Sequence, residues 1–537
     1  QVRYENNAER VAGGTYSKLR LNGSGNNHFT IGNVICDELS TGNEDVEVSP
    51  GDYIIGNTLT HTGPGEVIIE ADASGYGQLK FTTNAGTSPI RKQFYIDATP
   101  SERWVDMSTA LVGADLSDLP DAGAKIVFDV EGVGSAFEWD ASIANWVQSS
   151  ATGNNPAHGN RIYLGTRSGG SDIFLRDGSG VVSENATDLQ TTSTSRAMYY
   201  NTGQNTTATF VGGTDLSDTE GWNFIANPFL ANYDWDAARS TLDGLIRNVY
   251  YVWNGTNYVS RNLSDLGGAG QYIAPGQGFW IQVEPSWTSG NTFPLDITHA
   301  DPTGSGSFLK TNNVEDFLSI KVSELNGPYA DEVFMQFSPI LSDEFDAGFD
   351  AVNLINAPNV PNLNIPGIEG KFSTFATSDK NKTYTLNFSD EEDGQHLYFS
   401  LNDDALLSHN YVFIEDIKTG TITELTNGGT YEFMNDVNFK SDRFNLHFGK
   451  TRSEIPLESG ESFFAYLNEN NLVVSINTSS LAPVNLSVTD IQGRTVISTQ
   501  LEMSDEIKVE NLILPQGVYV VSISQSGNFL GSQKLIK

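Results

Sequence analysis

A chain of 537 residues with 38% hydrophobic content is too long for one core and has apolar material for about three to five domains. Lys and Arg total 30 against 67 Asp and Glu, a formal charge of −37, and a field of that sign repels phosphate backbones and anionic lipid, which excludes a nucleic-acid partner. No apolar run approaches the ~20 residues of a membrane span, and the single cysteine, Cys36, excludes an internal disulfide.

The first region, 1–98, opens at Gln1 with no Met and no visible signal peptide, so we expect an export signal already removed. Short apolar stretches recur through "HFTIGNVICDELSTGNEDVEVSPGDYIIGNTLTHTGPGEVIIEADASGYGQLKF", each followed by Asn, Gly or Thr. That spacing predicts a stack of short strands or a small solenoid-like sheet. Cys36, inside "NVICDEL", reads as a buried thiol on a strand.

The second region, 99–305, holds all eight tryptophans and a faint internal echo. Trp104 in "RWVDMSTALVG" answers Trp222 in "GWNFIANPFL". Trp139 and Trp146 in "FEWDASIANWVQ" answer Trp253 and Tyr258 in "VYYVWNGTNYVS". Ile162 and Tyr163 answer Phe279 and Trp280. Two related β units are predicted. Trp139, Trp146, Trp253 and Trp280 are candidate aromatics for a carbohydrate platform, although rings at strand ends more often fill a core. "DWDAARSTLDGLIRNV", Asp234 to Val249, is the best helix candidate, with Asp234 as cap.

Residues 306–450 alternate apolar and polar between turn residues, as in "TYTLNFS" and "NYVFIEDIKTGTITEL", and predict a β-sandwich of seven or eight strands. Residues 451–462, "TRSEIPLESGES", read as a linker, and 463–537 as a small seven-stranded Ig-like sandwich. The expected fold class is all-β, with several sandwich or sheet domains in series and one or two short helices.

Chemistry-bearing motifs are scarce. The seven histidines contain no HExxH pair, and neither a GxSxG elbow nor a GxxxxGK[ST] phosphate loop occurs. Acidic clusters at Asp115, Asp118 and Asp121, and at Asp343, Glu344, Asp346 and Asp350, are loop groups of the kind that either stay hydrated or hold Ca²⁺ with backbone carbonyls. No other cofactor and no catalytic residue is expected.

The tail carries a resemblance. Its marks are the D-x-x-G-R turn (Asp490, Gly493, Arg494), the L-P-Q-G-V-Y step (Leu514, Pro515, Gly517, Tyr519) and the closing K-L-I-K (Lys534, Lys537). Together they resemble the type A C-terminal sorting domain of the Bacteroidota type IX secretion system. The family opens with a PNP-like step where this chain has "FFAYLNENNLVVSIN", which leaves the start of the domain open near Glu461. Upstream stretches, such as "GWNFIANPF" and "GAGQYIAPGQGFWIQV", are similar to β modules of other cargo of that system. The resemblance implies export across both membranes, with an outer-membrane translocon and a shuttle protein as partners, and a destination at the cell surface or outside the cell. The sorting residues it implies are Asp490, Gly493, Arg494, Pro515, Gly517, Tyr519, Lys534 and Lys537, with the two lysines open to a partner on the last strand.

Two functions of different class fit. One is a non-enzymatic adhesin or structural subunit of a surface layer or filament, partnered by further copies of itself or by surface polysaccharide. The other is a secreted polysaccharide-binding or hydrolytic protein with a groove among the tryptophans. A generic cargo held by the translocon is a third expectation.

Overall fold

The computed structural model describes residues 2–4, 10–21, 28–96, 103–116, 136–150, 152–164, 180–200, 221–255, 258–261, 271–304, 318–327, 329–337, 341–345, 349–356, 360–367, 370–378, 382–390, 392–401, 411–439, 442–449, 463–468, 471–476, 482–502, 507–509, 512 and 514–537. The chain divides into two compact units, Gln1–Val314 with Ala347–Ala357, and Glu315–Asp346 with Pro358–Lys537. The fold is all-β, as the alternating pattern predicts. The expected linker 451–462 lies outside the described residues.

The first unit begins with a parallel stack. Strand Arg10–Leu21 pairs with His28–Thr41, that strand with Tyr53–His61, and that one with Gln78–Asn84. The register places Leu19 beside Leu39 and Leu39 beside Leu59, a repeat of 20 residues. Parallel pairing sets like positions one above another, so Leu19, Leu39 and Leu59 form one fully buried column. Outside, Asp37 accepts from Ser17 Oγ at 3.3 Å and Asn57 Nδ2 at 3.4 Å, a polar ladder with the same repeat. Gly56 is required here: a Cβ would lie 2.2 Å from the buried Phe81 ring and 2.9 Å from the Cys36 carbonyl. Cys36 is buried, as its strand context predicts.

Two four-stranded sheets follow in the same unit with the same strand order. One runs Arg103–Met107, Asn160–Leu164, Ala136–Asp140, Asn145–Gln148; the other runs Trp222–Ala226, Gly278–Val283, Ile246–Trp253, Tyr258–Arg261. Trp139 faces Trp146 across one hairpin, and Trp253 faces Tyr258 across the other. The contacts between the sheets are reciprocal. Trp139 Nε1 donates to the Trp222 carbonyl at 3.0 Å, and Trp253 Nε1 donates to the Trp104 carbonyl at 2.8 Å. Met107 bridges Gln277, and His158 bridges Ile225. Such exchanges are what a pseudo-two-fold relation between the sheets produces.

The predicted helix Asp234–Val249 is shorter than its sequence pattern. It spans Trp235–Ser240, with the Asp234 side chain accepting from Ala237 N at 3.0 Å. Gly244 then adopts φ +74, and Ile246–Trp253 becomes a strand. Its run of Val249, Tyr250, Tyr251, Val252 and Trp253 is β-branched and aromatic, and pairing on both sides outweighs the helical spacing upstream.

In the second unit ten strands among the described residues form one path, rather than the expected seven or eight. Its order is Thr421–Glu424, Tyr411–Asp416, Phe444–Gly449, Tyr384–Ser389, Asn362–Pro366, Lys371–Thr377, Ala330–Phe337, Leu318–Glu324, His396–Leu401, Thr430–Met434. The first and last strands of the path are neighbours in sequence, joined through the 3₁₀ turn Thr426–Gly428. The sheet therefore curls until its ends approach, yet they do not pair. Phe399 stacks on Phe433 at 5.2 Å, with Phe444 edge-on to both at 4.8 Å, inside the curl.

Among the described residues the tail forms seven strands in two sheets. Three are Phe463–Asn468, Asn471–Ile476 and Ile507–Val509; four are Thr495–Leu501, Val484–Asp490, Val518–Gln525 and Asn528–Ile536. Leu472, Val474, Leu486, Val488, Val521 and Ile523 fill the space between them. Val473, on the other face, packs with Phe413, Tyr411 and Ile422 of the ten-stranded sheet.

Candidate functional site

The tail's D-x-x-G-R turn is built from its own side chains. Asp490 ends one strand and Thr495 begins the next. The Asp490 carboxylate accepts from Arg494 N at 2.9 Å and Gln492 N at 3.0 Å, and from Arg494 Nε at 3.0 Å. The Arg494 and Gln492 backbone N–H groups and the Arg494 guanidinium hold that carboxyl below its ordinary range. Gly493 sits at φ +78, the left-handed region that a side chain disfavours. Ile491, beside it, is 78% exposed at the tip. The turn thus presents an apolar side chain and an exposed guanidinium on a locally rigid loop.

At the same end of the small sandwich, where Tyr519 is the register partner of Asp490, Tyr519 is buried and its hydroxyl donates to the Pro515 carbonyl at 2.8 Å. Gly517 and Lys537 exchange backbone hydrogen bonds of 3.1 and 2.9 Å. Pro515, Gly517, Tyr519 and Lys537 therefore close one corner together. Gly517 is not in the left-handed region, and an added Cβ would meet Tyr519 no closer than 3.7 Å. Sterics do not demand glycine there.

Lys534 is exposed on the last strand, as expected, and it also has a partner. Its Nζ donates to the Thr419 carbonyl of the ten-stranded sheet at 3.2 Å. Lys534 and Lys537 line a cleft of about 650 Å³ in the second unit, together with Lys418, Thr421, Thr430 and Leu467. Sequence reasoning missed this cleft, which distant strands assemble. Its one local signal is Lys418 in the "DIKTGT" hairpin turn, a cation beside a chain reversal in a strongly acidic protein.

The four candidate platform tryptophans are core, and the platform reading is corrected. Trp139, Trp146, Trp253 and Trp280 are 1, 8, 2 and 0% exposed. Trp280 meets Trp139 at 5.2 Å and Trp146 at 5.5 Å, both edge-on. Arg161 is stacked over Trp146 and Trp253 at 5.1 and 5.2 Å, and forks onto the buried Asp106. Large rings gain most free energy by leaving water, and here no ring face remains for a sugar.

The acidic clusters divide. The Asp343 carboxylate is engaged by Lys382 Nζ at 2.5 Å and Thr377 Oγ1 at 2.6 Å, and Asp350 is buried in the other unit. Glu344 has its backbone N–H on Ser342 Oγ at 3.3 Å. Asp115 accepts from Gly153 N at 2.6 Å. Asp118, Asp121 and Asp346 lie outside the described residues. Among the described residues no three His, Cys, Asp or Glu gather as a metal group.

A serial all-β body ending in a seven-stranded module with this turn, this tyrosine corner and this closing strand defines an exported protein with a sorting tail. Residues 468–537 match the family model of the secretion system C-terminal sorting domain, and the chain is a cargo protein of the type IX secretion system, secreted or held at the cell surface. No curated protein matches the chain. Among solved structures it is similar to two fibronectin type-III domains of chicken tenascin, at 14% identity over 29% of this chain and 98% of that one, with a TM-score of 0.13. It is also similar to a polysaccharide lyase, at 10% identity over 41% and 39% of the two chains and a TM-score of 0.17. A third similarity is to the BSP domain of a biofilm-associated protein, at 10% identity over 83% and 92% and a TM-score of 0.16. Scores this low carry no argument about activity.

Proposed function

We propose that the exported body is a non-enzymatic surface protein, an adhesin or a structural subunit of a surface layer or filament. The observation that carries this reading is the outer edge of the parallel stack. Strand Arg10–Leu21 is joined on that side by Val2–Tyr4 only, through Leu19, Arg20 and Leu21. Among the described residues, Arg10 to Lys18 have no strand beside them there. A long unpaired edge offers backbone donors and acceptors to another chain, and a stack of repeated rungs accepts one more rung at little geometric cost. Burial of the four tryptophans takes away the aromatic groove that a polysaccharide-binding or hydrolytic reading relied on. The sorting tail implies handling by type IX machinery on the way out, and the body acts after delivery.

The test is negative-stain microscopy of protein sheared from the cell surface, beside a Thr15→Pro chain whose edge cannot accept a strand. Layers or filaments from the first and single particles from the second are expected. Single particles from both at high concentration, with cell attachment unchanged when the protein is deleted, would reject the proposal.

A further inference from the structure

Edge strands of four kinds line the 650 Å³ cleft of the second unit. Thr421–Glu424 and Thr430–Met434 are the two ends of the ten-strand path, and Phe463–Asn468 and Asn528–Ile536 are end strands of the two tail sheets. Thr421, Thr423, Thr430, Glu432, Leu467 and Lys534 are the side chains they bring to its walls. Of these strands Thr430–Met434 is the most open: Thr430, Glu432 and Met434 are exposed, and its outer edge pairs with no strand among the described residues. The Met434 carbonyl is already taken by Arg443 Nη1 at 2.9 Å, so the cleft begins where that cap ends.

The charge of the cleft runs against the rest of the protein. Four of its lining residues, Lys418, Arg443, Lys534 and Lys537, are basic and one, Glu432, is acidic, in a chain where acidic residues outnumber basic ones 67 to 30. Arg443 is committed to the buried Asp416, and Lys418 to Asp436 at 2.5 Å. Lys534 has a neutral carbonyl as its partner. Lysines on a free sheet rim commonly keep edges apart. These lysines line a cleft whose walls are strand edges, where an incoming anion meets several cations at once.

We propose that this cleft takes an extended acidic segment of a partner protein, added as a strand along Thr430–Met434 with its carboxylates against Lys534 and Lys537. Backbone pairing along the edge supplies affinity, and the lysines select sign. The Lys534–Thr419 hydrogen bond is the contact such a segment would replace.

The experiment is fluorescence anisotropy on the full chain with three labelled hexapeptides: Glu-Val-Glu-Val-Glu-Val, Lys-Val-Lys-Val-Lys-Val, and Glu-Pro-Glu-Pro-Glu-Pro. The first is expected to bind, the second not to. The third has the same charge but lacks alternate N–H donors, and is expected to bind at least about tenfold more weakly than the first. Lys534→Glu is expected to weaken the first by about tenfold, and Lys534→Gln by less, at unchanged melting temperature. No binding of the first peptide at ~1 mM would overturn the proposal. So would equal binding of the Glu-Pro peptide, which marks general electrostatics, or an unaltered affinity in both Lys534 variants.

Discussion

Arg161 meets Asp106 in a fork of two hydrogen bonds, 2.7 and 2.8 Å long, with both side chains out of solvent. The arrangement recurs in the other unit, where Arg443 forks onto Asp416 at 3.1 and 2.8 Å and lies over Phe433 and Phe444. In each, a guanidinium too costly to bury alone is paired by a carboxylate and covered by ring faces. Arg161→Met should therefore destabilise the first unit by about 3–5 kcal/mol, because Asp106 is left buried without its partner. The double variant Asp106→Leu with Arg161→Met should lose less than the single one. Guanidinium unfolding of the three chains measures both.

The tryptophan cluster makes a second claim on stability. Trp280→Ala removes a ring that touches Trp139, Trp146 and Phe224. The cost expected for emptying such a site is about 3–5 kcal/mol. It would show as an earlier unfolding midpoint in tryptophan fluorescence. An unchanged midpoint, with altered binding to a polysaccharide, would return the ring to the surface.

The two units should respond to acid in different ranges. In the first, burial lowers the affinity of His61 for a proton, against the opposing pull of the Pro89 and Gly65 carbonyls and the Asp45 and Glu66 carboxylates. A histidine depressed in the folded state stabilises the fold above its unfolded value near 6.5, and that contribution is lost as pH falls through this region. His61→Gln should flatten the stability of the first unit between about pH 7 and 5.

In the second unit, Glu415 accepts from His447 Nε2 at 2.9 Å and Asn445 Nδ2 at 3.0 Å. The His447 hydrogen bond, against the pull of burial, holds the Glu415 carboxyl below its usual 4.5. Its contribution is present above that value and is lost only as pH falls beneath it. Glu415→Gln should remove this acid limb and leave the neutral-pH dependence alone. Thermal melts across pH, followed by hydrogen exchange in each unit, separate the two effects.

The sorting tail yields a contrast between two glycines. Gly493→Val forces a β-branched side chain to φ +78 and should cost about 1–2 kcal/mol or more in the tail, with less protein exported. Gly517→Ala meets only ordinary contacts at 3.7 Å and should fold normally. Lost export from Gly517→Ala at an unchanged melting temperature would show that the secretion machinery approaches the backbone there. Export and melting are read from culture medium and from purified protein.

The all-β class and the paired tryptophan hairpins could be read from alternation and turn residues, since those signals act between near neighbours. The stack was half legible: recurring Asn, Gly and Thr marked its turns, but the 20-residue register emerges only once Leu19, Leu39 and Leu59 share a column. The helical spacing runs on beyond Ser240, but residues 246–253 form a strand because they gain more by pairing on two sides than by continuing a helical face. The tail was identified from its motif, yet the motif did not tell that Lys534 reaches Thr419.

Sequence by itself determined the alternation, the turns and the sorting tail, because each is written in residues a few positions apart. Only tertiary structure decided which rings are core and which edges stay open, and that Lys534 finds a partner 115 residues away. Burial and long-range pairing depend on where distant strands come to lie, and no local run of residues encodes that position.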